Sequence, residues 1–268
     1  MTILVVEGTA KVYRKSGNIA IVDGKGNKVE ISVPDLELVV LVGERIHITS
    51  SALITLISQG IPVTVFSGKS DTWGLFFDVI QVGTSDIREV QYSCFTDSYC
   101  RLKYSEPMVR SKIKGLYNMI RYECKYHSKE AELCSYVKDK ILETLSLIEE
   151  VNDIDELRKI ESIGSKYAWE LITSLIPGQY EFTGRKPRGG DAINSSIDYL
   201  YAVLYGIVAK GIVSSGLDPF CGVMHAKRPG RLSLVYDLSE IFKPLTIHVV
   251  IQTSRRAHLK TFRGSRYL

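Results

Sequence analysis

The sequence predicts an α+β protein with its classes segregated: a β-rich N-terminal domain followed by an all-helical C-terminal domain. Three observations lead there. Up to about residue 80 the apolar residues come in short β-branched runs bounded by glycine. From about Gln91 onward they recur at the three-to-four-residue spacing of helices. The chain, at 268 residues, is longer than one ordinary core needs. The boundaries that follow are a β-rich domain over 1–80, a connection over 81–90 and a helical domain over 91–268.

ILVVEG, GNIAIVDG and LELVVLVG read as strands, with Asp23-Gly24 and Gly26-Asn27 as turn signals. Ile46 to Ile48 reads as another short strand. Ser50 or Ser51 then caps a helix, SALITLISQG, that Gly60 ends. IPVTVF follows as a strand with Pro62 near its start, where a missing N–H does least harm. A further strand is expected near Leu75 to Val82. Beyond it, Met108, Ile113, Leu116, Met119 and Ile120 mark one helix, and Val137, Ile141, Leu145 and Ile148 another. Asp153 or Asp155 caps the next, which Pro177 stops. GQYEFTGRKPRGG is a loop by composition. Asp191 caps a long apolar helix ended by Gly216, and a last helix starts near Ser233 and breaks at Pro244.

Composition narrows the class. Apolar residues at 45% and charged residues at 24% suit a folded rather than a disordered chain. No uninterrupted apolar run approaches the ~18–20 residues of a membrane span. The N-terminal MTILVVEGTAKVYRK lacks the basic lead-in of a signal peptide, so a cytoplasmic protein without a membrane partner is expected. The five cysteines form no C-x-x-C pair. Buried free thiols are therefore expected, rather than a disulfide framework or a zinc site. The net charge of +4 says little, but basic residues cluster. Arg255, Arg256, Lys260, Arg263 and Arg266 lie in an acid-free tail, and Arg185, Lys186 and Arg188 in a Gly/Pro loop. Arg101, Lys103, Arg110, Lys112, Lys114 and Arg121 recur through one segment. Such clusters suit a phosphate backbone, or an ordinary solvated face.

Three acids and a histidine are candidates for chemistry. Glu161 lies early in LRKIESIGSKYAWELITSLIP, with Leu157, Ile160 and Tyr167 at helical spacing. A carboxylate beside an apolar face needs a partner, either a metal ion or Arg158 or Lys166. His225 sits in GLDPFCGVMHAKRPG, at or beside a loop, and a lone histidine there is structural or catalytic. Asp237 and Glu240 are three residues apart in LVYDLSEIFKP, on one face of a helix. Two such carboxylates repel unless a cation lies between them or one is protonated; the alternative is an exposed acidic face near a helix N-terminus. Tyr236, Leu238 and Phe242 around them argue for partial burial. Carboxylates with one imidazole suit Mg²⁺ or Mn²⁺.

DAINSSIDYLYAVLYGIVAKGIVSSGLDPFCGVMH and LSLVYDLSEIFKP, with VVEGTAKVYRKSGNIAI and ITSSALITLISQGIPVTVFS in the first third, carry a resemblance. The chain resembles the CRISPR-associated spacer-acquisition endonuclease/integrase family, the first of the numbered Cas proteins, over nearly its whole length. The resemblance implies a homodimer formed by the β domain and a helical catalytic domain. It also implies a small second Cas protein as partner, and insertion of short DNA fragments into a CRISPR array by transesterification. Carried over residue by residue, it implies Glu161, His225 and Glu240 as ligands of Mg²⁺ or Mn²⁺. Asp237 becomes a fourth ligand or a residue that holds one. Lys227, Arg228 and Arg231 become candidate phosphate contacts, with Arg185, Lys186 and Arg188 behind them. Where the family carries an acid shortly after the Lys-Pro-Leu segment, this chain has His248, and the family continues for further helices beyond. Two other readings stand beside the integrase: a DNA-binding and assembly subunit impaired in catalysis, and a repair nuclease for branched DNA.

Overall fold

The computed structural model describes residues 2–67, 73–77, 85–187, 189–225 and 230–256, apart from the side chain of Ser128. The chain forms two compact units, one of residues 1–84 with 209–216 and one of 85–208 with 217–262, and a mixed sheet is followed by helices.

The first unit is built on a six-stranded sheet in the order β3-β2-β1-β4-β5-β6. Its strands are β1 (Thr2–Lys15), β2 (Asn18–Asp23), β3 (Lys28–Ile31), β4 (Leu36–Ile48), β5 (Val63–Phe66) and β6 (Trp73–Phe76). β1 runs parallel to β4 and β4 to β5, while the other neighbours are antiparallel. Ile46 to Ile48 is no separate strand: it continues β4. The apparent break is a register shift after Glu7, where Gly8 and Gly43, both at positive φ, face each other. A side chain at Gly43 would be strained, and glycine is what lets the long pair continue past the irregularity. β3 escaped the sequence reading because KVEI is short, mostly exposed and at the sheet edge. Helix α1 (Ser50–Ser58) is capped by Thr49, whose hydroxyl accepts from the Ala52 amide, rather than by either serine. Its Ala52 and Leu56 pack on Val12, Val39 and Val63 in this unit's core.

The second unit is helical: α2 (Ser85–Thr96), α3 (Ser98–Glu123), α4 (Ala131–Leu147), α5 (Ile154–Leu175), α6 (Ala192–Ser214), α7 (Ser233–Ser239) and α8 (Lys243–Arg256). α2 falls partly within the stretch read as a connection, because its sequence is mostly polar and only Gln91 is buried. The caps of α5 and α6 are Asp153 and Asp191, accepting from the amides of Glu156 and Asn194 at 2.8 Å each. Pro244 does not break a helix; it lies in the first turn of α8, where its missing N–H is harmless. α6 is long and apolar enough by composition to cross a membrane, although Asn194, Ser195, Ser196 and Asp198 interrupt its apolar run. With 44% of its most apolar window buried in the protein, it already has a partner: Ile193, Ile197 and Tyr201 join the helical core.

The cysteines correct the expectation of free thiols. Cys94 pairs with Cys100 and Cys124 with Cys134, with Cα atoms 5.4 and 6.0 Å apart; Cys221 is buried and forms no disulfide. Neither spacing matches a known motif. The pairs arise because α3 turns back on α2 at one end and on α4 at the other, within disulfide reach.

One glycine sets the distance between the two helices that matter most. A Cβ on Gly164 would lie 2.6 Å from Ile113 Cδ1 and 3.1 Å from Thr144 Cγ2, so α5 packs closely here and a larger residue would force the Ile113 side chain to shift. By contrast, a Cβ on Gly211 in α6 meets nothing within 4 Å. Gly164→Ala is therefore expected to destabilise the protein by roughly 1–3 kcal/mol from overpacking, less about 1 kcal/mol of improved helix propensity. Gly211→Ala is expected to stabilise it by up to about 1 kcal/mol. Urea titration of both variants checks the contrast, and equal effects would contradict the close α3–α5 approach.

Candidate active site

The site is built from three places in the helical unit: the middle of α3, the first third of α5, and the loop 217–225 with α7 behind it. Along α3, Val109, Ile113 and Leu116 form the buried stripe. Lys112 lies at its edge, its side chain only 13% exposed. Along α5, Leu157, Gly164 and Ala168 are buried, and Glu161 shares their face one turn from Leu157 and from Gly164. Close packing at Gly164 and Ile113 thus brings Glu161 to Lys112.

The Lys112 ammonium pairs with Glu161 Oε1 and lies 2.6 Å from Glu240 Oε2. Glu240, at the C-terminal end of α7, is buried; its Oε1 bonds the Lys243 ammonium, while Oε2 faces the Lys112 ammonium. Ser165 Oγ donates to Glu161 Oε1 at 3.0 Å. Lys243 also stacks over Tyr201 and Tyr205, 4.9 and 5.9 Å from their ring centres.

Burial and charge set the protonation here. Burial favours a protonated Glu240, but Lys243 and Lys112 outweigh it and hold its carboxyl at about 2. Burial likewise disfavours a charged Lys112, and Glu240 with Glu161 outweighs that, so its pKa is raised. Lys243 is lowered, burial prevailing over Glu240. The phenols of Tyr201 and Tyr205 are raised by burial and then by Glu240, and stay protonated.

A second pair lies in the loop. Asp237, fully buried on α7, accepts from the amides of Val223, Met224 and His225 at 2.7, 2.9 and 3.0 Å, and pairs with His225 Nδ1. An ionised carboxylate only accepts, so Nδ1 carries a proton and the ring is oriented by Asp237. Gly222 makes the wrap possible: a Cβ there would lie 2.6 Å from Asp237 Oδ2 and 2.7 Å from Ser233 Cβ. The loop is also held from outside. Arg101 Nε donates to the Val223 carbonyl at 2.9 Å, and Arg158, one turn before Glu161, to the Met224 carbonyl. Gln91 on α2 bonds the carbonyls of Asp218 and Cys221 at 3.0 and 3.1 Å.

Of the sequence-derived candidates, the structure brings Glu161 together with Glu240, and His225 with Asp237. Among the described residues, no three His, Cys, Asp or Glu side chains gather closely enough to hold a metal ion. The carboxylate pair itself is of the donor type a divalent cation takes: hard oxygens from two helices already converge on positive charge. Arg185 is turned inward, bonding Asn194 and Asp198 and stacking 5.5 Å from the Tyr201 ring centre. Lys186 is exposed, and Arg231 lies 5.2 Å from the Tyr236 ring centre. Arg188, Lys227 and Arg228 lie outside the described residues, as do Lys260, Arg263 and Arg266 of the basic tail. His248 faces the buried Glu123, with Nδ1 2.7 Å from Oε1, and Arg255 bonds the same carboxylate.

Lys112, Lys243, Tyr201, Tyr205, Arg101 and Arg158 were missed as site residues. The signal for Lys112 was present: it follows Val109 by three residues and precedes Leu116 by four, the spacing of a buried stripe. The charge pattern instead assigned it to a basic surface.

The fold and site define a class, a β-rich unit followed by a helical unit that carries paired acids and an oriented histidine. The sequence profile described as "CRISPR associated protein Cas1" matches residues 3–265. The chain belongs to the Cas1 family. It is 30% identical to a protein of Saccharolobus solfataricus named "CRISPR-associated endonuclease Cas1 2", over 95% of this chain and 75% of that one. Among solved structures, a casposase bound to integration product matches 96% of this chain and 73% of its own, with a TM-score of 0.78 at 23% identity. A Cas6-RT-Cas1–Cas2 complex matches 97% of this chain and 28% of its own, with a TM-score of 0.79 at 17% identity. These two likenesses are of fold.

Two outcomes are expected. Asp237→Ala leaves three loop amides and the His225 ring without their acceptor and should cost roughly 3–5 kcal/mol, as leaving several buried donors unsatisfied at ~1–3 kcal/mol each does; a urea titration within about 1 kcal/mol of wild type would contradict the arrangement. Glu240 has a folded pKa of about 2 against an ordinary 4.5, so its stabilisation is complete above 4.5 and is lost as pH falls through about 2. The stability gap between wild type and Glu240→Gln should therefore shrink between pH 5 and pH 2, and a constant gap would refute it.

Proposed function

We propose that this chain is a divalent-metal-dependent DNA endonuclease and integrase that inserts short DNA fragments into a CRISPR array. The observation that carries the reading is the convergence of Glu161 and Glu240 from separate helices on one buried cation, in a chain of the Cas1 family that also holds a histidine against its own aspartate. The endonuclease name of the Saccharolobus relative supports nuclease chemistry, and the integration product held by the casposase supports strand joining.

In this reading Glu161, Glu240 and His225 hold Mg²⁺ or Mn²⁺, and Asp237 positions His225 without touching the ion. The ion, when bound, polarises a phosphoryl oxygen and stabilises charge on the departing one. The 3′-hydroxyl of the incoming fragment gives up its proton, its oxygen bonds to phosphorus at the repeat boundary, and the repeat strand's own 3′-oxygen leaves. One phosphodiester forms as another breaks. The neighbouring phenols, kept protonated, and Ser165 supply hydrogen-bond donors without adding negative charge. Arg231 and the exposed Lys186 would meet the DNA backbone; Arg188, Lys227 and Arg228 are candidates by sequence alone. Arg185, engaged within the protein, serves the fold of the loop. The β-rich unit forms the homodimer, and the small second Cas protein joins two such dimers, in keeping with the Cas1–Cas2 complex that shares the fold.

The test incubates the purified protein with Mn²⁺ or Mg²⁺, an oligonucleotide bearing a 3′-hydroxyl and a plasmid carrying a repeat array. Joined product should form, be abolished by chelator, and fall at least about 100-fold in Glu161→Gln, His225→Ala and Glu240→Gln. Circular dichroism should show the variants folded. Joining that survives chelation or His225→Ala would overturn the assignment. Cutting of a branched junction without insertion at the repeat would instead favour a repair nuclease.

A further inference from the structure

The two carboxylates of the site already share a cation, and it is one of the protein's own. Lys112 stands between Glu161 and Glu240, largely buried, and pairs with both of the carboxylates that would hold the ion. Lys243 differs. It reaches Glu240 from the other oxygen and rests over the Tyr201 and Tyr205 rings, which give it a berth independent of any second carboxylate. Charge decides the rest. Two carboxylates and two ammoniums balance; adding a divalent ion to that arrangement leaves a net charge of +2 among largely buried side chains. Like charges a few ångströms apart at low dielectric repel by several kcal/mol, so one ammonium must leave as the ion enters. Lys112 occupies the contested position and has no aromatic berth among the contacts described, so it is the one that moves.

We propose that Lys112 is an internal competitor for the divalent ion. It holds Glu161 and Glu240 together while the ion is absent, weakens ion binding by having to be displaced, and becomes solvent-exposed when the ion is bound. The proposal rests on the metal-dependent reading above, and its failure can be told apart from that of the reading.

The experiment titrates Mn²⁺ into the full-length protein by isothermal calorimetry, for wild type, Lys112→Met and Glu161→Gln. In parallel, amine-reactive acylation of wild type, with and without Mn²⁺, is mapped by mass spectrometry. Lys112→Met removes the charge and keeps the length, so it should bind Mn²⁺ at least about tenfold more tightly than wild type, although its metal-free form melts lower. Glu161→Gln should bind more weakly. In wild type, Mn²⁺ should raise acylation of Lys112 several-fold and leave Lys243 little changed. This arm needs no variant, so it decides the matter even where Lys112→Met does not fold. Wild type and Lys112→Met binding Mn²⁺ equally, or Lys112 staying protected with Mn²⁺ bound, would overturn the proposal and leave the metal reading standing. Absence of Mn²⁺ binding by both proteins would sink the two together.

Discussion

A lysine buried between two glutamates constrains much of what surrounds it. An ammonium taken out of water is costly unless it is compensated, and Lys112 is compensated from two directions at once. That requirement fixes how far apart α3 and α5 lie, which is why Gly164 packs against Ile113. Glu240, which meets it, lies just past the end of α7. The requirement also explains Lys243: a second cation balances the second charge, and two aromatic rings support it where water does not. The loop bearing His225 is anchored to the same frame through Arg158, one helical turn from Glu161.

The histidine is governed by a different kind of constraint. Asp237 acts chiefly on the backbone, gathering three consecutive amides before it touches the imidazole. The ring is therefore oriented by the same group that shapes its loop, and Gly222 is what allows the chain to come close enough. Arg101 and Arg158 take up the carbonyls on the opposite side of the same peptides. A segment bonded on both sides in this way holds its side chain at a defined angle without help from regular secondary structure.

The general architecture was legible because its signals are local. Short β-branched runs bounded by glycine marked the sheet, Asp153 or Asp155 and Asp191 announced their helices, Glu161, Asp237 and Glu240 stood out against apolar neighbours, and His225 stood out in a Gly/Pro-punctuated stretch. What escaped depends on partners remote in the chain. Lys112 looks like one more basic residue until α5 and α7 are placed against it. Arg185 and Arg255 looked like phosphate contacts, yet each is engaged by buried or half-buried acids that sequence distance hides. β3 and α2 are polar and lie at the edges of their units, so neither carries a periodic pattern strong enough to read. The thiols paired because helices turn back on themselves, a matter of tertiary geometry rather than of spacing.

Those two disulfides bear on α3 in a way its side chains alone do not. One fastens its beginning to α2 and the other its end to α4. A helix ordinarily frays from its termini, and its middle becomes vulnerable as the ends loosen. Here neither end is loose. Slow solvent exchange should therefore extend along the whole of α3, and the depth at which it carries its one buried amine should stay put while neighbouring segments breathe.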